Sequence, residues 1–202
     1  MVDTARYWLG ILLVVSLPPA LPYWYLIHGW PAFWRRLGKW PTLILHFSLI
    51  FVLIWALVQV RGTLMGRDLG FTIWTTVAAI ALYIPTVLIN RARARYLTFG
   101  ILAGLPEIAP EQHEPKLLRE GIYGRVRHPR YIEVILGVAA WALFINYSGV
   151  YVVVLACIVG VLAIIPLEER ELAERFGAAF GEYKNTVPML IPKRSPAPPL
   201  QP

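Results

Sequence analysis

Apolar residues fall into five runs along the chain, at 7–27, 42–60, 71–90, 131–146 and 150–166, each bounded by short polar stretches. A helix crossing a hydrocarbon core about 30 Å thick needs about 20 residues, so the runs predict about five transmembrane α-helices. Pro18, Pro19 and Pro22 interrupt the first run and predict a kink there. The last two runs are short, and residues 146–149 between them predict a tight turn that closes a helical hairpin. Beyond the fifth run, Leu167, Leu172, Phe176, Phe180 and Tyr183 recur at helical spacing. They predict an amphipathic helix outside the bilayer, ended by Val187 and Pro188. The Pro-rich tail 193–202 is expected to be disordered.

The longest polar stretch, 91–130, is mixed in character. Arg91, Arg93 and Arg95 open it as a juxtamembrane anchor. Residues 96–105 are apolar but too short to span, which predicts an interfacial or re-entrant segment. Residues 107–120 are polar.

Composition agrees with this pattern. Hydrophobic residues make up 57% of the chain and charged residues 15%, which places it among all-α integral membrane proteins. The net charge of +7 would suggest nucleic acid in a soluble protein. Here the cations flank apolar runs and no nucleic-acid motif is present, so lipid headgroups are the expected partners instead. Of the 19 Lys and Arg residues, an arrangement with the N-terminus outside leaves Arg6, Arg61 and Arg67 on the outer face and puts the rest inside. The positive-inside bias therefore predicts an outer N-terminus and a cytosolic C-terminus. Cys157, the single cysteine, lies inside an apolar run, so the chain has neither a disulfide framework nor a CxxC metal site. The N-terminal run lacks the pattern of a cleavable signal peptide.

Two charged clusters flank the hairpin. The first, 121–131, holds Tyr123, Arg125, Arg127, His128, Pro129, Arg130 and Tyr131. By itself such a cluster is a solvated basic collar. Pro129, however, suits the first turn of a helix, and free N–H groups at a helix start beside several cations attract a carboxylate or phosphate. Tyr123 and Tyr131 offer aromatic faces to a base or a sulfonium. The second cluster contains Glu168 and Glu169. The bland reading is helix-end charge; the functional one is a carboxylate that binds an ammonium or ribose hydroxyls. A hairpin brings both clusters to one membrane face. Glu133 lies just inside a predicted span, where an ionisable residue is a functional candidate by default. His28, His46 and His113 have no metal-ligand spacing, and no phosphate-loop, nucleophile-elbow or dinucleotide glycine motif is present.

Gly121-x-Tyr123, Arg127-His128-Pro129-x-Tyr131, Glu168-Glu169, Phe176-Gly177, Tyr183 and Val187-Pro188 occur in this order. As a set they resemble the isoprenylcysteine carboxyl methyltransferase family, whose superfamily includes phospholipid and thiol methyltransferases. The resemblance covers roughly 115–192. It implies S-adenosylmethionine (SAM) bound in a cytosolic pocket and a lipophilic acceptor that enters from the bilayer. Carried over residue by residue, it places the cofactor against Pro115, Lys116, Leu117, Leu118, Tyr123, His128, Pro129, Arg130, Tyr131, Glu168 and Glu169. Arg127 and Glu133 are the candidate catalytic residues, with Glu133 a base for an amine or thiol acceptor.

Two positions depart from the family pattern. Ile164 stands where eukaryotic members hold a substrate-facing arginine, and Glu133 stands where a small residue is usual. The expected division is 1–106 for the N-terminal spans, 107–192 for the SAM-binding core and 193–202 for the tail. Two rivals remain open: an NADPH-dependent sterol-type reductase, and a non-catalytic membrane binding or assembly protein on the same scaffold.

Overall fold

The computed structural model describes residues 1–96 and 117–192. Residues 97–116, which include the expected cofactor residues Pro115 and Lys116, and the 193–202 tail lie outside the described residues. All the regular elements described are helical: α1 (Val2–Gly29), α2 (Pro31–Leu37), α3 (Lys39–Gln59), α4 (Arg61–Met65), α5 (Ile73–Ala94), a 3₁₀ turn (Gly121–Gly124), α6 (Pro129–Ile145), α7 (Ser148–Phe176) and α8 (Ala178–Thr186). This is an all-α membrane fold.

Four helices (α1, α3, α5 and α7) are long and apolar enough to cross a bilayer. The fourth sequence run becomes α6, which has 17 residues and so rises about 25 Å, short of a full hydrocarbon core. Its polar start at Pro129–Arg130 accounts for the shortfall. Helix α1 continues through Pro18, Pro19 and Pro22 rather than ending there, as membrane helices can when neighbours satisfy the freed carbonyls. At the Pro-containing level of α1, the Tyr25 hydroxyl donates to the Gly160 carbonyl of α7 at 3.0 Å.

The amphipathic helix expected after the fifth run is not one element. Helix α7 runs unbroken from the apolar run through Pro166 and the charged cluster to Phe176. Gly177, at φ +54°, then turns the chain into α8. The polar part of α7, past residue 166, is thus a rigid extension of a membrane helix, so the spacing of Glu168 and Glu169 from the hairpin is fixed.

The bundle is closed at one end by a polar clip. Arg6 is fully buried. Its guanidinium pairs with Asp3 at 2.8 Å and Asp68 at 2.6 Å, and Nε donates to the Ile145 carbonyl at 3.0 Å. Asn146 ends α6 in the left-handed conformation, and its side-chain amide donates to the Gly70 carbonyl at 2.8 Å. A Cβ on Gly149 would strike the Leu64 carbonyl of α4, so this tight turn requires glycine. The N-terminus, the α4–α5 loop and the α6–α7 turn therefore meet at the same end. Beneath them lies an apolar core of Leu13, Val14, Met65, Ala142, Ile145, Val150 and Val154.

Candidate functional site

The opposite end of the α6–α7 hairpin gathers the charged clusters. Pro129 takes the first helical position of α6, with His128 as its N-cap residue. Residues just before it are strapped down by the chain end: Arg127 N–H donates to the Pro188 carbonyl at 2.9 Å and His128 N–H to the Met189 carbonyl at 3.1 Å. Under this strap, α8 buries Phe180, Tyr183 and Val187 against Leu117, Leu172 and Phe176. The expected cofactor residue Leu117 therefore contributes a side chain to this small core.

His128 links the two glutamates. Its Nε2 lies 3.1 Å from Glu169 Oε1 and its Nδ1 lies 3.7 Å from Glu168 Oε2. The Tyr131 hydroxyl donates to that same Glu168 oxygen at 2.6 Å. Glu168 is 28% exposed and Glu169 only 9%, and their partners differ accordingly. Glu169 accepts from Arg127 Nε at 2.9 Å and Nη2 at 2.7 Å, and pairs with Lys184 at 2.9 Å. The hydrogen bond from His128, ahead of Lys184 and Arg127, holds its carboxyl well below the usual range, against a desolvation that pushes the other way. Glu169 thus has the surroundings of a buried structural anion. Glu168 is the more open carboxylate.

Arg127 also donates through Nη1 to the carbonyls of Lys184, at 3.0 Å, and Val187. Its guanidinium, expected to be catalytic, holds α8 and the strap to α7.

Tyr123 sits on the 3₁₀ turn, buried, with its carbonyl accepting from the Tyr183 hydroxyl at 2.7 Å. Burial keeps both phenols above their ordinary range, so each is a neutral donor at physiological pH. Gly121, at φ +58°, passes so close to Tyr96 that a Cβ would meet the phenol. This close approach explains the glycine two residues before the motif tyrosine, and it seats Tyr96 edge-on to Tyr123 at 6.1 Å.

Helices α1 and α5 also reach the site, which sequence reasoning missed. The Arg130 guanidinium stacks over the Trp24 ring at 4.5 Å. Trp24 in turn stacks on His28 at 5.5 Å. His28 Nδ1 lies 2.9 Å from Glu171, which also pairs with Arg35 at 3.1 Å. From α5, Arg93 Nε meets Glu133 Oε2 at 2.6 Å, and Asn90 donates to Glu133 Oε1 at 2.7 Å. Both Glu133 oxygens are therefore engaged. The signal for this pairing was available: a carboxylate inside a membrane helix requires a partner, and Asn90 and Arg93 sit three residues apart on one helix face. Among the described residues, no group of three His, Cys, Asp or Glu side chains forms a metal site.

Comparison with known proteins gives the arrangement a context. A family model described as phospholipid methyltransferase matches residues 73–179, from the start of α5 to the start of α8. Methanethiol S-methyltransferase 1 of Bradyrhizobium diazoefficiens is 29% identical over 172 residues, covering 82% of this chain and 58% of that protein. Methanethiol S-methyltransferase of Pseudomonas deceptionensis is 27% identical over 176 residues, covering 81% and 65%. A second Bradyrhizobium enzyme, methanethiol S-methyltransferase 2, is 36% identical over 72 residues, 36% of this chain and 27% of its own. The chain thus spans less than two thirds of the length of these relatives. No solved structure matches it.

Proposed function

The chain belongs to the phospholipid methyltransferase family, and we propose that it transfers a methyl group from SAM to a lipophilic acceptor at the cytosolic membrane face. The observation that carries this reading is the convergence of Tyr131, His128 and Glu168 at one end of the hairpin, within 2.6 and 3.7 Å. The donor set suits the cofactor. Glu168, the more open carboxylate, is a partner for an ammonium or a ribose diol. The Tyr123 and Tyr131 rings suit a sulfonium or a purine. When bound, SAM supplies a methyl carbon activated by its sulfonium.

The protein's task is then to align donor and acceptor for an in-line displacement and to keep water out. The acceptor would meet that carbon opposite the sulfur, whose departure with the bonding pair would leave S-adenosylhomocysteine; a thiol would enter as the thiolate and an amine in its neutral form, the proton in each case released to solvent beforehand or afterwards. Tyr131 locks the Glu168 rotamer, His128 ties Glu168 to Glu169, and Arg127 with Lys184 fixes Glu169 to α8. Glu133, engaged by Arg93 and Asn90, serves as the tie between α5 and α6 rather than as the base.

The acceptor class follows from what the site lacks. Ile164 is 1% exposed, so α7 offers no cation where eukaryotic relatives hold their substrate-facing arginine. An acceptor without a carboxylate fits better, and the thiol chemistry in the relatives' names agrees with that. Incubating purified protein with methyl-labelled SAM and a panel of thiol, amine, phospholipid and prenylcysteine acceptors tests the proposal. Label transfer to a thiol or amine supports it. NADPH binding without SAM binding would support a reductase, and binding of neither cofactor a non-catalytic scaffold.

A further inference from the structure

Arg93, at the site end of α5, has its side chain 7% exposed. Its Nε and Nη2 donate to Glu133 at 2.6 and 3.2 Å. The third nitrogen, Nη1, is buried and has no hydrogen-bond partner. Buried guanidinium donors are almost always satisfied, because leaving one unpaired forfeits its hydration with nothing in return. Glu133 cannot fill the gap, since its two oxygens already face the other edge of the planar fork.

A second cation lies close by. Arg130 is half-buried and lies over Trp24, and among the described residues no carboxylate pairs with it at salt-bridge distance. Burial, the largest influence, depresses its guanidinium and Arg93 pushes the same way, while Tyr131 and the Glu168 carboxylate push it back up. Arg93 on α5 and Arg130 at the start of α6 belong to one neighbourhood, because α5 packs along α6 and against the 3₁₀ turn that carries the buried Tyr123. Two guanidinia drawn out of water near each other repel, and an anion beside them relieves the repulsion while satisfying the orphaned Arg93 Nη1.

We propose that Arg93 and Arg130 form an oxyanion clamp within the methyl-transfer site, in which Arg93 Nη1–H donates to a carboxylate or phosphate oxygen of the bound ligand. The clamp rests on the reading of this end of the hairpin as the cofactor and acceptor site. Two ligands bring the required chemistry: the carboxylate of the amino-acid portion of SAM, and the phosphate of a lipid headgroup. Helix α5 thereby becomes part of the binding site, and its tie to Glu133 sets the angle at which Nη1 is presented.

The test uses the full chain in a phosphate-free maltoside detergent, with binding read by calorimetry. Arg93→Gln alone would strand Glu133. The informative variant is therefore Arg93→Gln with Glu133→Gln, which exchanges the ion pair for an amide pair, with Glu133→Gln alone as the control. If SAM brings the oxyanion, the wild type binds SAM about ten- to a hundredfold more tightly than decarboxylated SAM, as expected for a charge-assisted hydrogen bond. The double variant loses that preference and the control keeps it. If a lipid brings it, the wild type shows no such preference, and affinity for a short-chain phospholipid falls at least about tenfold in the double variant alone. Equal affinities in wild type and double variant in both arms overturn the clamp. So does an equal loss in Glu133→Gln alone, which would mean that Arg93 acts only through the ion pair. A wild type that binds the phospholipid but not SAM would sink the proposed cofactor and leave the clamp standing. Unchanged SAM affinity in the double variant, with no phospholipid effect, would do the reverse.

Discussion

The hydroxyl of Tyr131 on α6 donates to Glu168 on α7 at 2.6 Å, across the polar end of a hairpin whose other end is a two-residue link. Because α7 is unbroken from its apolar run to Phe176, this bond joins two rigid elements and fixes the position of the carboxylate along the hairpin. Tyr131→Phe removes the bond while keeping the ring. SAM affinity measured by calorimetry should fall about tenfold, in line with one hydrogen bond to a charged group. Glu168→Ala and His128→Ala should each weaken it further with the helical circular dichroism retained. Wild-type affinity in all three variants would remove this end of the hairpin as the cofactor site.

Arg127 gives a separable prediction, because its guanidinium ties α8 and the strap to α7. Arg127→Ala leaves Glu169 buried beside His128 and frees the Val187 and Lys184 carbonyls. Breaking a buried pair from one side costs about 3–5 kcal/mol. Hydrogen exchange should rise across α8 and residues 187–189 and stay unchanged in α1 and α3. The folded-state pKa of Glu169 is depressed, so its contribution is complete above the unfolded carboxyl pKa of about 4.3. It is lost as the pH falls further, toward the folded value. Acid opening of the strap should therefore begin only below about pH 4. Opening between pH 5 and 7 would show that another group governs it.

The 16-to-3 division of Lys and Arg predicts which side each end faces. In a Cys157→Ala background, Arg67→Cys and Glu174→Cys place thiols at opposite ends of the bundle. An impermeant maleimide added to intact cells should label position 67 and spare position 174. The converse pattern inverts the topology.

Much of this was legible in the sequence because it is written in local pattern. The apolar runs gave the membrane class, Pro129 gave the start of α6, and 146–149 gave the hairpin turn. The meeting of His128 and Tyr131 with Glu168 followed from the hairpin alone. What escaped was non-local or a question of helix continuity. Trp24 and Arg93 reach the site through packing of α1 and α5, which no spacing rule encodes. Pro166 read as the end of a span, yet the helix continues through it, which turned an expected separate amphipathic helix into an extension of α7. Short α2 and α4 carry no strong periodic signal, and α4 is held by contacts with α1 and α7.

At the closed end, Arg6 ties α1 to the α4–α5 loop and to the end of α6. Arg6→Met keeps much of the volume but removes the cation between Asp3 and Asp68 and leaves the Ile145 carbonyl without its donor. The thermal midpoint in detergent should fall, with a loss of about 1 kcal/mol or more for the carbonyl left without its donor, while SAM affinity at the far end stays within about twofold. A variant as stable as wild type would mean that the clip is incidental to the fold.

The acceptor prediction turns on two side chains that the family pattern does not expect. Ile164 is packed inside the bundle and supplies no charge, so with the clamp taken by another oxyanion a prenylcysteine carboxylate finds no partner on α7, at a cost of several kcal/mol. Glu133 adds no positive charge either, and its engagement by Arg93 and Asn90 removes the argument that it deprotonates the acceptor. Turnover with a thiol or amine should exceed turnover with a prenylcysteine by at least about tenfold. Glu133→Gln should lower the thermal midpoint by loosening α5 from α6, and leave the shape of the pH–rate profile unchanged. A profile that loses a limb in Glu133→Gln would restore Glu133 as a base. Efficient prenylcysteine methylation by the wild type would show that another cation, Arg93 or Arg130 foremost, stands in for the arginine that Ile164 replaces.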